Sequence, residues 1–266
     1  MLRRLISKSS RFLLGVNAAS CIRAIRFGPR QLFSSAKFSF DAAAPFGSLV
    51  TEFLNEIPEA SLDLLLKNAR VKINLHVAAY EDGMLPPNEA LMLVALLCAE
   101  RPRQVLEIGT YMGHTTRAMA ENLETAVIHT VDLPPDFAFD KGDSALLPKD
   151  DLHLIAKRVI GREFRDSICA TRIVQHYGDT AELDFSEFGQ PTFFFIDGSH
   201  TYEYCKSDSE KSLAASQPGS TFIWHDCDVR HPGVVRALHE WRRSGRDILR
   251  IANTSLAYWK RPSEDS

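Results

Sequence analysis

The chain has 266 residues, enough for one large α/β domain with a sizeable core. Its 45% hydrophobic and 24% charged content is ordinary for a globular domain, and no apolar run reaches the roughly 18 residues of a membrane span. A net charge of −3 hides an asymmetry: residues 1–40 carry eight basic side chains and no acid, while the remainder carries 23 basic and 34 acidic residues. A region that acidic excludes nucleic acid as the expected partner, because such binding rests on phosphate neutralisation.

In the first 40 residues, Leu2, Leu5, Ile6, Phe12 and Leu13 share one helical face, and Arg3, Arg4, Lys8 and Arg11 share the other. The segment is serine-rich, and Arg30-Gln31-Leu32-Phe33-Ser34-Ser35 resembles a matrix-processing site. These features predict an organellar targeting peptide, mitochondrial or plastid, with mitochondrial placement preferred and cytoplasmic otherwise. A basic tail or an over-long start is the alternative. The five cysteines, Cys21, Cys98, Cys169, Cys205 and Cys227, form no C-x-x-C pair, which disfavours structural zinc and suits a reducing compartment.

Residues 41–100 read as a helical N-terminal cap and 101–266 as the core. Helical periodicity runs over 46–70, from Phe46, Val50, Phe53 and Leu54 to Leu62, Leu64, Leu65 and Leu66. Gly83-Met84-Leu85-Pro86-Pro87 breaks the chain, and Asn88 is expected to cap a helix over Glu89–Ala99 that Arg101-Pro102 ends. An apolar strand, Val105–Ile108, leads through glycines into a helix near Thr115–Leu123. Ala126–Asp132 reads as a second strand. Residues 133–170 form a long excursion with Pro134-Pro135, Lys141-Gly142-Asp143 and a helical stretch near Asp150–Val159; loops of this length are usually functional. Strands follow at Arg172–His176, Thr192–Ile196 and Thr221–Trp224, with helices at Glu203–Ser216 and Val234–Arg243 between and after them. Asp247–Ala252 and Leu256–Lys260 are close enough in sequence to pair antiparallel at the edge. Strands alternating with helices imply a doubly wound, mostly parallel sheet.

Two stretches carry chemistry. In the first, Glu107-x-Gly109-x-x-x-Gly113 turns a buried strand sharply into a helix, where glycine lets backbone pass close to a ligand. A nicotinamide dinucleotide site would want G-x-G-x-x-G, and here the outer positions are Glu107 and Met112. Asp132 lies roughly 20 residues on, where such folds place the carboxylate that grips a ribose. This stretch resembles motif I of the class I S-adenosylmethionine-dependent methyltransferases. The resemblance implies a Rossmann-like seven-stranded sheet with an antiparallel last strand, and cofactor contacts at Glu107, Gly109, Thr110, Tyr111, Gly113, Asp132, Asp179 and Asp197. His114, in the same loop, reads as packing.

In the second stretch, two neighbouring strands end in Asp197-Gly198-Ser199-His200 and Trp224-His225-Asp226-Cys227. Ligands of open α/β sheets bind beyond the carboxyl ends of the strands, so these residues gather beside the glycine loop. The pairing is similar to metal-dependent O-methyltransferases acting on macrolide sugar hydroxyls, more distantly to the catechol type, and most to a bacterial-type group with D-G-S-H and W-H-D-Y strand ends, over roughly residues 80–262. It implies metal ligands at Asp197 and Asp226, with His225 as a third, and His200 as catalytic base. The sugar enzymes carry Glu where His225 stands, and the catechol enzymes carry Asn where Cys227 stands. Imidazole suits Mn, Fe or Zn better than Mg. His225 and Asp226 can share the site only if the strand has already ended, since neighbours in a strand face opposite ways. Tyr202 and Trp224 read as core.

The expected function is S-adenosylmethionine-dependent O-methylation of a small-molecule hydroxyl, assisted by a divalent cation, Mg or Mn. A homo-oligomer is left open. The alternative is a non-catalytic protein of the same fold, such as an organelle assembly factor.

Overall fold

Side-chain parity in the strands decides the layers. The computed structural model describes residues 46–74, 80–137 and 149–263. The basic segment 1–40 and Lys141-Gly142-Asp143 lie outside them. In chain order the elements are α1 (Phe46–Glu56), β1 (Glu59–Ala60), α2 (Leu62–Leu65), α3 (Pro87–Glu100), β2 (Gln104–Ile108) and α4 (His114–Asn122). Then come β3 (Val127–Asp132), α5 (Lys149–Lys157), β4 (Ile173–Tyr177), β5 (Phe193–Ile196) and α6 (Tyr202–Ala215). β6 (Thr221–Trp224), α7 (Pro232–Arg243), β7 (Leu249–Ile251) and β8 (Ala257–Lys260) complete the chain.

One eight-stranded sheet runs β1-β7-β8-β6-β5-β2-β3-β4. β8 is antiparallel to both β6 and β7, and every other pairing is parallel. Leu106, Ile108, Phe194, Ile196, Phe222 and Trp224 point to one face, where they pack with Val50 and Leu54 of α1, Cys205 of α6 and Val235, Leu238 and Trp241 of α7. Val105, Phe193, Phe195 and Ile223 point to the other, against Leu93, Leu96 and Leu97 of α3 and Met119 of α4. Burying each such side chain contributes about 1.5–3 kcal/mol, so the two-faced apolar pattern fixes the central strands. Tyr202 and Trp224 are core, as their sequence context suggests.

Three local expectations are corrected. The periodic stretch 46–70 is not continuous: the chain leaves α1 at Pro58, where β1 adds an eighth strand through Arg250 N–H to Pro58 O and Ala252 N–H to Ala60 O. Two residues are too short a strand for periodicity to reveal. Asn88 does not cap α3, because Pro86 and Pro87 already set the helix entry, and the Asn88 amide donates to Asn253 O instead. The antiparallel pair β7–β8 forms as expected but is not the edge, since β1 covers β7.

Candidate functional site

The carboxyl ends of β2, β3, β4 and β5 open on one side of the sheet, and α5 of the 133–170 excursion covers them. Together they line a cavity of about 170 Å³. Gly109, Tyr111, Asp132, Asp179, Asp197 and His200 all line it. Apolar Ile108, Val131, Leu133, Leu154 and Ile155 make up much of the remaining wall.

Gly109 has φ +98°, and a Cβ there would sit 2.0 Å from the Asp197 carbonyl oxygen. Its glycine requirement therefore comes from backbone meeting backbone where β2 and β5 end together. Asp132 closes β3. Its Oδ2 accepts from the Tyr111 N–H at 2.8 Å, and its Oδ1 lies 3.3 Å from Arg158 Nε just beyond α5. Burial pushes this carboxyl up, and the Arg158 guanidinium opposes that. Asp179 accepts from Ala181 N–H and from the Tyr204 hydroxyl, each at 3.0 Å.

Three residues expected at the cofactor stand behind this wall. Glu107 falls on the β2 face opposite Ile108, so its side chain points to the α4 side and is fully buried. It accepts from the Thr116 and Thr130 hydroxyls, and burial pushes its carboxyl up to about 8. Thr110 turns its hydroxyl to Thr130, 2.7 Å away. Gly113 is the left-handed N-cap of α4 and lies close against the Phe164 ring. His114 faces Glu163 at 3.8 Å, away from the cavity.

At the cavity's far end the two strand-end motifs meet. β6 ends at Trp224, and Asp226 adopts φ +61°, a left-handed turn that Asp tolerates better than most residues. That turn meets the condition for His225 and Asp226 to share the site. His225 Nδ1 lies 3.0 Å from Asp197 Oδ1 and 3.1 Å from Asp226 Oδ2, and its Nε2 lies 2.8 Å from Glu89 Oε2. Glu89 in the first turn of α3 also accepts from the Ser255 N–H and hydroxyl. His200 Nε2 lies 2.6 Å from Asp226 Oδ2, and its Nδ1 contacts Asp151 of α5. Asp151 further accepts from the Ser199 hydroxyl at 2.8 Å.

Electrostatics follow from this packing. Burial alone would lower both imidazoles. Instead Asp151 and Asp226 push His200 up to about 10, and Asp197, Asp226 and Glu89 hold His225 well above its ordinary value. Burial disfavours the Asp226 carboxylate, yet His200 and His225 keep it well below the usual carboxylate range. In this arrangement the two carboxylates favour the charged form of His200. His225, Asp197 and Asp226 could hold a cation. Their donor atoms lie within 4.8 Å of one another, and Nδ1 faces the shared space while Glu89 backs Nε2. A carboxylate on the outer nitrogen is how metal-bound histidines are oriented.

Glu89, Asp151 and His231 escape the sequence reading. Glu89 and Asp151 lie far along the chain from the motifs they serve, while His231 follows Asp226 closely and has only the H-P-G run at His231-Pro232-Gly233 as a local signal.

A search of curated proteins found no match. Among solved structures, an O-methyltransferase from Bacillus cereus in complex with S-adenosylhomocysteine is similar at 16% identity and TM-score 0.45, over 79% of this chain and 91% of that one. The O-methyltransferase TomG from Streptomyces achromogenes, in complex with S-adenosylmethionine, is 16% identical with TM-score 0.45, over 68% and 82%. The Podospora anserina methyltransferase PaMTH1 is 17% identical with TM-score 0.46, over 69% and 81%. Residues 106–227, which span β2 to the turn after β6, match the family model described as a methyltransferase domain.

Proposed function

We propose that this protein is a methyltransferase that uses S-adenosylmethionine to methylate a hydroxyl oxygen of a small-molecule acceptor, with a divalent cation at Asp197, Asp226 and His225. One observation carries the reading: the cavity lined by Gly109, Asp132 and Asp179 also takes in Asp197 and His200 of the histidine–carboxylate cluster. The match of residues 106–227 to a methyltransferase domain supports it.

The residues fit both groups. Asp132 is placed to accept from ribose hydroxyls, and Asp179 from an adenine amino group, while the apolar wall suits the adenine face. The cofactor supplies an electrophilic sulfonium methyl, and a cation lowers the pKa of a coordinated hydroxyl. His225 presents Nδ1, a ligand that favours Mn over Mg. His200 is the group placed to remove the acceptor's proton. Its Nε2 faces Asp226 Oδ2, which would also be a ligand of a bound cation, so a cation there would compete with His200 for that carboxylate. Asp151 then holds Nδ1 and with it the ring's orientation. With the cofactor bound, its methyl would pass to the acceptor oxygen as the carbon–sulfur bond gave its electron pair to sulfur, and His200 would take the acceptor's proton.

Crystals soaked with Mn²⁺ and S-adenosylhomocysteine test this. Anomalous density among Asp197, Asp226 and His225, with the nucleoside in the cavity, is the expected result. An empty cluster beside a filled cavity would remove the metal from the reading, and an empty cavity would remove the methyltransferase.

We further infer that the basic, acid-free segment 1–40 is a mitochondrial import signal. Mass spectrometry of the native protein should find an N-terminus between residues 30 and 40; an intact Met1 on protein recovered from the cytosol would refute this.

A further inference from the structure

A second cluster shares Asp226 with the first. His200, Asp226 and His231 each present a donor atom within 4.8 Å of the others. His200 Nε2 is 2.6 Å from Asp226 Oδ2, and His231 Nδ1 is 3.1 Å from Asp226 Oδ1. The two imidazole rings stack with centroids 4.4 Å apart and planes at 25°. Donors that share one ion at about 2.1 Å stand roughly 3–4 Å apart, so the spacing suits one ion once the stacked rings turn their in-plane lone pairs toward it.

We propose that His200, Asp226 and His231 form a second cation position, selective for a transition ion, and that Asp226 bridges it to the position at Asp197 and His225.

Three independent features support the site. The first is the company His231 keeps. Its Nδ1 is buried and faces Asp226 and Asp228 oxygens 3.1 and 3.2 Å away without a well-aligned hydrogen bond. Carboxylate oxygens gathered on an imidazole nitrogen away from water are a donor set that a cation would hold. His231 is the N-cap of α7 yet makes no side-chain cap, so helix capping does not explain the residue.

The second is how the rings are brought together. Gly233 lets the start of α7 press onto the turn before α6. A Cβ there would lie 2.4 Å from His200 O and 2.6 Å from Tyr202 N. That close approach stacks His231 on His200.

The third is backing. His200 keeps its other nitrogen on Asp151, as His225 keeps its own on Glu89. His200 and His225 therefore each carry a carboxylate on the nitrogen turned away from Asp226, the arrangement that orients metal-bound histidines. Two imidazoles and one carboxylate form a set suited to Mn, Fe, Co or Zn and poor for Mg or Ca.

The consequence rests on the proposed role of His200. An ion at this position takes the Nε2 lone pair that proton removal needs. The first position would serve the reaction, and filling the second would silence the base.

Metal stoichiometry tests the proposal without a known acceptor. Full-length protein is freed of metal, titrated with Zn²⁺ alone and counted by native mass spectrometry, with circular dichroism confirming the fold of each variant. The expected result is two ions on the wild type, one on His231→Ala and one on Asp197→Asn. His231→Gln, which keeps a polar side chain against His200, should repeat the His231→Ala result if the alanine variant unfolds. One ion on the wild type, kept by His231→Ala and lost by Asp197→Asn, would overturn the second position and leave the first. One ion lost by His231→Ala but kept by Asp197→Asn would uphold the second and remove the first. No ion on the wild type would overturn both.

Discussion

At the scale of single residues, the site depends on side chains whose partners are already fixed by the protein. Asp132 is held by the Tyr111 N–H and faced by Arg158, so it presents a pre-aimed carboxylate to the cavity. Asp132→Ala should weaken S-adenosylhomocysteine binding by about 1.5–3 kcal/mol, the scale of hydrogen bonds to a charged group. Calorimetry measures this, and unchanged affinity would remove Asp132 from the cofactor site. Gly109→Val is the poorer probe, because the missing Cβ is demanded by the Asp197 carbonyl and the variant would disturb the strand ends themselves. The distinction could not be read from the motif. A glycine beside a strand end serves ligand and backbone alike, and only the β2–β5 pairing tells which neighbour is close. Glu107 shows the same limit: its spacing from Gly109 was legible, while its turn away from the cavity followed from strand parity.

At the scale of elements, Glu107 ties β2 to α4 and β3 through Thr116 and Thr130. Its carboxyl is raised from 4.5 to about 8 by burial. The folded state thus keeps a proton that the unfolded chain releases near pH 4.5. The stabilisation is full below pH 4.5 and is lost as pH rises through about 8, at up to about 1.4 kcal/mol per pH unit. Glu107→Gln should flatten the slope of melting temperature against pH between 5 and 8; an unchanged slope would mean another group governs it. Helix α5 is the second element with a measurable role. Asp151 fastens it to the Ser199–His200 turn, and Arg158 just beyond it donates to the carbonyls of Leu133 and Pro134. Arg158→Ala should speed amide exchange over residues 151–158 while leaving β2, β5 and β6 protected, and uniform protection would show that α5 docks without it. The sequence marked this excursion by its length alone. Which carboxylate or carbonyl its polar residues would meet is a tertiary matter that periodicity does not encode. The central strands were legible because both of their faces are apolar, and β1 was not because its two residues carry no period.

At the scale of the whole molecule, the fold brings two chemistries to one opening. β2 and β3 end in the loop and carboxylate of the proposed nucleoside site, and β5 and β6 end in a histidine–carboxylate centre. Asp197 touches both, since it lines the cavity and lies 3.0 Å from His225. Helices α3, α5 and α7 each add a residue outside the two strand-end motifs: Glu89, Asp151 and, at its N-cap, His231. The central claim is that one cavity takes the cofactor beside a cation. Isothermal titration of the full-length protein with S-adenosylhomocysteine, with and without Mn²⁺, tests it most directly. The account predicts one nucleoside site per chain, together with Mn²⁺ binding that Asp197→Asn weakens. Absence of S-adenosylhomocysteine binding under both conditions would contradict it.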